Sequence, residues 1–166
     1  MMRNGFTLIE VMLVIMIMVV IAAMTLPSAL DQDGTAADAA ARLLESDLEH
    51  AQLLALSRPD QRIGLAVDAD GYGWRIVDAD DPLVALHDAV DSTASTRELA
   101  VRCGEGRARV ASEAQIDPAG EMIVFDPLGG LEIPSGTDRT LAIQRGAAMR
   151  VVSVNPETGF ISLQIP

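Results

Sequence analysis

The sequence predicts an α+β protein in which one long N-terminal helix precedes a head built mostly from antiparallel β-strands. An apolar run from Phe6 to Leu30 is followed by an amphipathic helical pattern that ends near Ser57. Beyond Arg62, short alternating segments separated by turn residues replace that pattern, which is typical of hairpin-connected strands. We expect the helix to pack on the sheet, because the sheet is the one surface available to bury its apolar face.

The first element is a strongly apolar helix. Val11 to Met24 holds no polar side chain, and the run of about 25 residues from Phe6 to Leu30, at ~1.5 Å per residue, exceeds a ~30 Å bilayer core. It predicts a transmembrane helix. Glu10 interrupts it at a cost of about 2.5–3.5 kcal/mol, which indicates a functional role. The alternatives are a plain anchor or a secretory signal, but a secretory signal has an uninterrupted apolar region of about 7–15 residues.

The start of the chain carries a recognisable processing signal. Residues 1–5, Met-Met-Arg-Asn-Gly, followed by Phe-Thr-Leu-Ile-Glu at 6–10, resemble the type III signal of type IV prepilins and type II secretion pseudopilins. The resemblance implies that a prepilin peptidase cleaves between Gly5 and Phe6 and methylates the new Phe6 amine. It also implies that Glu10 takes the Phe6 amine of a neighbouring subunit in a filament. Within one chain the two groups can also meet, because residues four apart share a helix face.

The stretch that follows predicts a break and then a second helical segment. Pro27 predicts a helix kink where the helix leaves the membrane, and Ser28 to Thr35 has the composition of a frayed turn. Thr35 and Asp38 resemble a capping box, and Pro59 ends the amphipathic pattern near Ser57. The chain is thus divided into a leader (1–5), an assembly helix (6–30), an amphipathic continuation (31–57) and a β-rich head (58–166).

The head is predicted to be a series of short strands. Ile63–Val67 and Tyr72–Val77 flank the turn Asp68–Gly71 and predict a hairpin. Asp78–Arg97 is expected to be a polar loop, and Asn155–Gly159 a turn between the last two strands. Further strands are expected at residues 98–103, 107–110, 121–125, 140–144, 149–154 and 160–165.

A second resemblance rests on four features of the chain beyond the first helix: the Ala-rich helix, Gly-Tyr-Gly-Trp at 71–74, Ile-Val-Phe-Asp-Pro-Leu-Gly-Gly at 123–130, and the closing segment 150–159. Through these features residues 36–166 are similar to the GspH/FimT group of minor pseudopilins. The resemblance implies a type IV pilin-like fold, inner-membrane insertion with the head in the periplasm, and assembly with other pseudopilins. The prepilin peptidase and an inner-membrane assembly platform are the other partners implied.

Composition argues against several other functions. The formal charge is −12 and the chain contains no lysine, so its field disfavours a nucleic-acid partner. Cys103 is the single cysteine and is expected to be a small buried apolar residue. His50, expected on a helix face, and His87, expected in a loop, are too isolated to suggest a metal site. We expect no cofactor and no enzymatic activity.

Two weaker motifs have competing interpretations. The aspartates at 68, 70, 78, 80 and 81 suggest calcium, but the spacing from Asp68 does not match an EF-hand, which favours a hairpin turn and a solvated loop. Gly-Arg-Ala-Arg at 106–109 resembles the Gly-Arg-x-Arg string of DNA-binding minor pilins, which makes Arg107 and Arg109 weak DNA-binding candidates. Two arginines in an acidic head give little phosphate neutralisation, so an ordinary strand edge is favoured.

The sequence therefore predicts a minor pseudopilin, a structural subunit of the periplasmic pseudopilus in a type II protein secretion system. The alternative is a minor pilin of the fimbrial T or U type in a type IV pilus, which could act in DNA uptake. An anchored periplasmic enzyme is a third class, but the sequence lacks a catalytic set for it. The signal and helix do not distinguish a secretion pseudopilus from a pilus, since both use them.

Overall fold

The computed structural model describes residues 7–30, 32–88, 97–132 and 136–165. The chain divides into two compact units, Met1–Gln32 and Asp33–Pro166. The first unit contains helix α1, Leu8–Leu30. The second contains nearly all of helix α2, Gln32–Ser57, followed by the strands of the head.

Helix α1 runs through Pro27 and ends at Leu30. Its large apolar side chains from Leu8 to Ile21 are exposed. Within the described residues, no helix is both long enough and apolar enough to cross a membrane. A kink at Pro27 stays a prediction.

Helix α2 begins earlier than the sequence predicted. Residues 28–30 and 32–35 are helical, so the frayed turn expected over Ser28–Thr35 is wrong for those residues, and Thr35 lies inside a helix and does not cap one. Gly34, Ala36 and Ala37 are buried, and this packing outweighs the low helix propensity of glycine. The end of α2 at Ser57 confirms the predicted boundary.

The strands pair in two main antiparallel sheets. In chain order they are β1 (Ile63–Val67), β2 (Gly73–Asp78), β3 (Asp81–Ala85), β4 (His87–Asp88), β5 (Arg97–Glu98), β6 (Ala100–Arg102), β7 (Gln115–Asp117), β8 (Met122–Val124), β9 (Arg139–Arg145), β10 (Ala148–Val154) and β11 (Ile161–Gln164). The first sheet has the order β3-β2-β1-β8, with β6 also paired to β2, and the second has the order β11-β10-β9-β7. Strands β4 and β5 form a small separate pair.

Helix α2 packs against both sheets through a face of small residues, which confirms the predicted α+β class. Its buried side chains recur three and four residues apart, which places them on one side of the helix; they are Ala36, Ala37, Ala40, Ala41, Leu44, Asp47, Leu48, Ala51 and Ala55. One hydrophobic cluster joins this face to Leu65 and Trp74 of the first sheet and to Ile143 and Val152 of the second.

Most predicted strands are confirmed to within one or two residues. Leu65 lies opposite Ile76 and Val67 opposite Trp74 in the predicted hairpin, and β8 to β11 match the expected C-terminal strands. The loop predicted over Asp78–Arg97 is wrong for Asp81–Ala85 and His87–Asp88, which form β3 and β4, and residues 89–96 lie outside the described residues. Strand β7 was not predicted. The first four residues of β3 are exposed and only its last residue, Ala85, is buried. The strand therefore carries no alternating apolar signal.

Candidate assembly site

Thr7 and Glu10 form the start of α1. The backbone N–H of Glu10 donates to the Thr7 carbonyl oxygen at 3.1 Å and to Thr7 Oγ1 at 3.4 Å. This is the Thr-x-x-Glu arrangement of a capped helix start, in which the capping side chain accepts from the third helical N–H. Glu10 is exposed in the first turn, where the helix dipole favours a carboxylate. The sequence analysis did not predict this cap of α1, although the Thr-x-x-Glu spacing at residues 7–10 was a signal for it.

The cleavage-site residues Gly5 and Phe6 lie outside the described residues. Leader removal, methylation of Phe6 and the pairing of its amine with Glu10 therefore stay predictions. What the structure contributes is the surrounding surface, because Val11 and Val14 beside Glu10 are both 47% exposed. A carboxylate within such an apolar surface requires a cationic partner once that surface is covered.

In the head, the carboxylate of Asp47 is the most buried charge among the described residues. Asp47 is 2% exposed. Its Oδ1 accepts from Arg107 Nη1 at 2.8 Å, and its Oδ2 accepts from Arg107 Nη2 and Trp74 Nε1, each at 2.7 Å. Two-point contacts between arginine and carboxylate are strong and directional. The contact joins α2 to the first sheet and to the segment that follows β6.

That segment, Gly106–Ala111, is a 3₁₀ helix with a kink at Ala108, where φ is −96° and ψ is 21°, so the strand predicted at 107–110 is wrong. Ala108 and Ala111 are buried. Arg109 is exposed, whereas Arg107 is held by Asp47. Of the two candidate DNA-binding arginines, Arg107 is thus the counterion of a buried carboxylate, and DNA binding by either stays a prediction.

Arginines pair with Asp68, Asp70 and Asp80 of the acidic cluster. Asp68 pairs with Arg75 and, at 3.9 Å, with Arg102; Asp70 pairs with Arg102 at 2.7 Å, and Asp80 with Arg62 at 2.7 Å. The backbone N–H of Tyr72, followed by the Arg102 guanidinium, lowers the pKa of the Asp70 carboxyl. In the described part of the chain, no group of three or more His, Cys, Asp and Glu side chains is placed to hold a metal ion.

The cysteine and the histidines have separate surroundings. Cys103 follows β6 and is half-buried, and burial raises the pKa of its thiol to about 11. The thiol is therefore protonated near neutral pH, which makes it a poor nucleophile. His50 lies on α2, as predicted, whereas His87 belongs to β4, so its expected loop position is wrong.

Gln52 connects the C-terminal end of α2 to two loops, a contact that the sequence did not reveal. Its Nε2 donates to the carbonyl oxygen of Gly129 at 2.7 Å and to that of Gly159 at 3.2 Å. Gly159 has a positive φ of 64°, and a Cβ there would overlap the Gly129 carbonyl. Both loops can approach Gln52 because glycine occupies these positions.

A capped apolar helix at the N-terminus and a helix-on-sheet head together define a pilin-like protein. The chain belongs to the family described as type II transport protein GspH, which matches residues 40–159. The prokaryotic N-terminal methylation motif matches residues 1–26. The predicted membership of the GspH group is thus confirmed.

Similarity to known proteins extends over most of the chain. Pilin-like protein PilA1 of Thermus thermophilus is 31% identical over 158 residues, which cover 93% of this chain and 95% of that protein. The solved structure of the minor pseudopilin EpsH from the type 2 secretion system of Vibrio cholerae is 20% identical. It covers 78% of this chain and 97% of that one, with a TM-score of 0.49.

Proposed function

We propose that the chain is a minor pseudopilin, a structural subunit of the periplasmic pseudopilus of a type II protein secretion system. The observation that carries the proposal is the pairing of a GspH-family head at residues 40–159 with a methylation motif at residues 1–26. Its mechanism is assembly and not catalysis. The partners are other pseudopilins, the prepilin peptidase and an inner-membrane assembly platform.

In this proposal residues 6–30 hold the chain in the inner membrane before assembly, with the head in the periplasm. The apolar sequence and the exposed apolar side chains of α1 support this role. Cleavage after Gly5 creates a cation at Phe6, and Glu10 of a neighbouring subunit receives it. A buried charge that only the next subunit satisfies sets the register of an otherwise uniform apolar helix.

A second candidate is a minor pilin of a type IV pilus, which the likeness to a pilin-like protein of Thermus thermophilus favours. Its DNA-uptake form is disfavoured by two observations. Arg107 is held by the buried Asp47, and the formal charge of −12 repels phosphate.

The test is complementation of a deletion strain with the wild type, Glu10→Gln and Glu10→Val, with Asp60→Asn as a control on the exposed surface of the head. We expect all four proteins at equal levels in the membrane, since removing a charge makes insertion easier. Secretion and recovery in the sheared filament fraction should fail for both Glu10 variants. Full secretion and assembly by both variants would refute the proposal, and loss of pili with normal secretion would favour the second candidate.

A further inference from the structure

Four large apolar side chains are exposed around the C-terminal end of α2. Leu53 is 63% exposed, Leu56 45%, Leu128 91% and Phe160 68%. We call these four residues the end patch. Large exposed apolar residues that gather at one place, unlike single ones scattered over a surface, mark interaction sites.

The three elements that carry the end patch are in contact. Leu53 and Leu56 are three residues apart on α2 and share a face. Gln52 bonds to Gly129 and Gly159, which adjoin Leu128 and Phe160 in the chain. A Cβ on Gly129 would lie 3.6 Å from Leu56 Cδ2, so the loop carrying Leu128 lies directly against the helix.

Both loops are held rigidly by side chain to backbone hydrogen bonds. Asp126 Oδ1 accepts from the N–H of Leu128 at 2.8 Å and from that of Gly130 at 3.0 Å. Asn155 Oδ1 accepts from the N–H of Thr158 at 3.0 Å, and Thr158 Oγ1 accepts from the N–H of Phe160 at 3.2 Å. Apolar side chains presented on a preorganised backbone lose little entropy on binding.

The rim of the end patch is acidic. Glu49 lies one turn before Leu53 on α2 and is exposed. On the two loops, Asp126 precedes Leu128 by two residues and the exposed Glu157 precedes Phe160 by three. The rim also has one basic residue, Arg58, which directly follows the last residue of α2. Three acids against this one base leave the rim net negative, so a second copy of this chain would bring like charge to the contact and be repelled.

We propose that the end patch docks a neighbouring subunit of different sequence, whose contact surface has large apolar side chains flanked by arginine or lysine. The inference rests on the proposed function, because four side chains fall well short of the roughly 800 Å² per partner that a stable isolated complex buries. The occupant is therefore held in place by a wider assembly as well. The charge of the rim selects the partner, and the apolar centre holds it.

The test is photocrosslinking in cells that carry the full chain, with benzoylphenylalanine in place of Leu128 or of Phe160. Leu83 and Val110 are matched controls, since they are 81% and 60% exposed but lie on β3 and the 3₁₀ helix. The crosslinked peptide is identified by mass spectrometry in both the membrane and the sheared filament fractions. We expect adducts at positions 128 and 160 with a different chain that has its own N-terminal methylation motif, on a peptide containing arginine or lysine beside apolar residues.

Reversing the rim with Glu49→Lys and Glu157→Lys should lower the adduct yield about tenfold. Adducts with a second copy of this chain, equal yields at the control positions, or an unchanged yield after charge reversal would each overturn the inference. So would the absence of adducts at 128 and 160 when the chain is present in filaments. Adducts of the expected kind in membranes that form no filament would support the docking surface while refuting the proposed filament role.

Discussion

Asp47 and Arg107 are 60 residues apart in the sequence and are joined by two parallel hydrogen bonds of 2.8 and 2.7 Å. Asp47 lies on the buried face of α2, and Trp74 of β2 donates to the same carboxylate. An arginine that resembled part of a nucleic-acid motif is thus the counterion of a buried charge. Three separate elements of the head meet at that one side chain.

Arg107→Ala should destabilise the isolated fragment 31–166, which contains α2 and the head, because it leaves the Asp47 carboxylate buried without its counterion. Loss of one partner of a fully buried pair costs about 3–5 kcal/mol; since the Arg107 side chain is 32% exposed, we expect about 2–4 kcal/mol. Denaturant unfolding measures this loss in the free energy of unfolding. The matched control is the exposed Arg109→Ala, which should stay within about 0.5 kcal/mol of wild type. Equal midpoints for the two variants would show that the ion pair contributes nothing.

The head should not bind DNA at physiological salt. A gel shift with residues 31–166 should show free DNA at micromolar protein, because the acidic field opposes phosphate and one of the two candidate arginines is occupied. Arg109→Ala is the variant to compare, since it leaves the Asp47 contact in place. Salt-sensitive binding by the wild type that Arg109→Ala removes would promote the DNA-uptake alternative.

Cys103 should react slowly with iodoacetamide. Burial raises the pKa of its thiol from 9.0 to about 11, so at pH 8 the reactive thiolate should be about a hundredfold rarer than in the unfolded chain. Because the folded pKa is the higher one, this group stabilises the head below pH 9 and the effect is lost as the pH rises towards 11. Alkylation followed by mass spectrometry, with and without denaturant, measures the rate at which the thiol reacts. Equal rates in both conditions would contradict the burial of the thiol.

Gly5→Val should block removal of the leader, because a branched side chain beside the scissile bond obstructs the peptidase. Intact-mass analysis of the membrane protein, with and without the prepilin peptidase, distinguishes the uncleaved from the cleaved chain. Asn4→Ala is the control, since it changes a neighbouring leader residue without adding bulk at the bond. Normal cleavage of the Gly5→Val chain would contradict the assignment of the processing site.

The fold was predictable where burial imposes a period on the sequence. Strands β1 and β9 place alternate apolar side chains in the core, and their positions followed from that alternation. β3 was missed because its first four residues face solvent, and the 3₁₀ helix was misassigned because a short apolar and basic run has no distinguishing period. The roles of Asp47 and Gln52 depend on partners distant in sequence, which no local pattern encodes.

The polar contacts of α2 are spread along its length, and this spacing has a mechanical consequence. Asp38 contacts Arg150 at 2.5 Å, Asp47 contacts Arg107, and Gln52 contacts Gly129, so the contacts span about 21 Å of helix at 1.5 Å per residue. A force along the helix axis loads all three polar contacts in shear simultaneously. It also loads the close alanine contacts that lie between them. The head would therefore move with the helix as one piece under tension, and would yield sooner to a sideways pull that opens the contacts one after another.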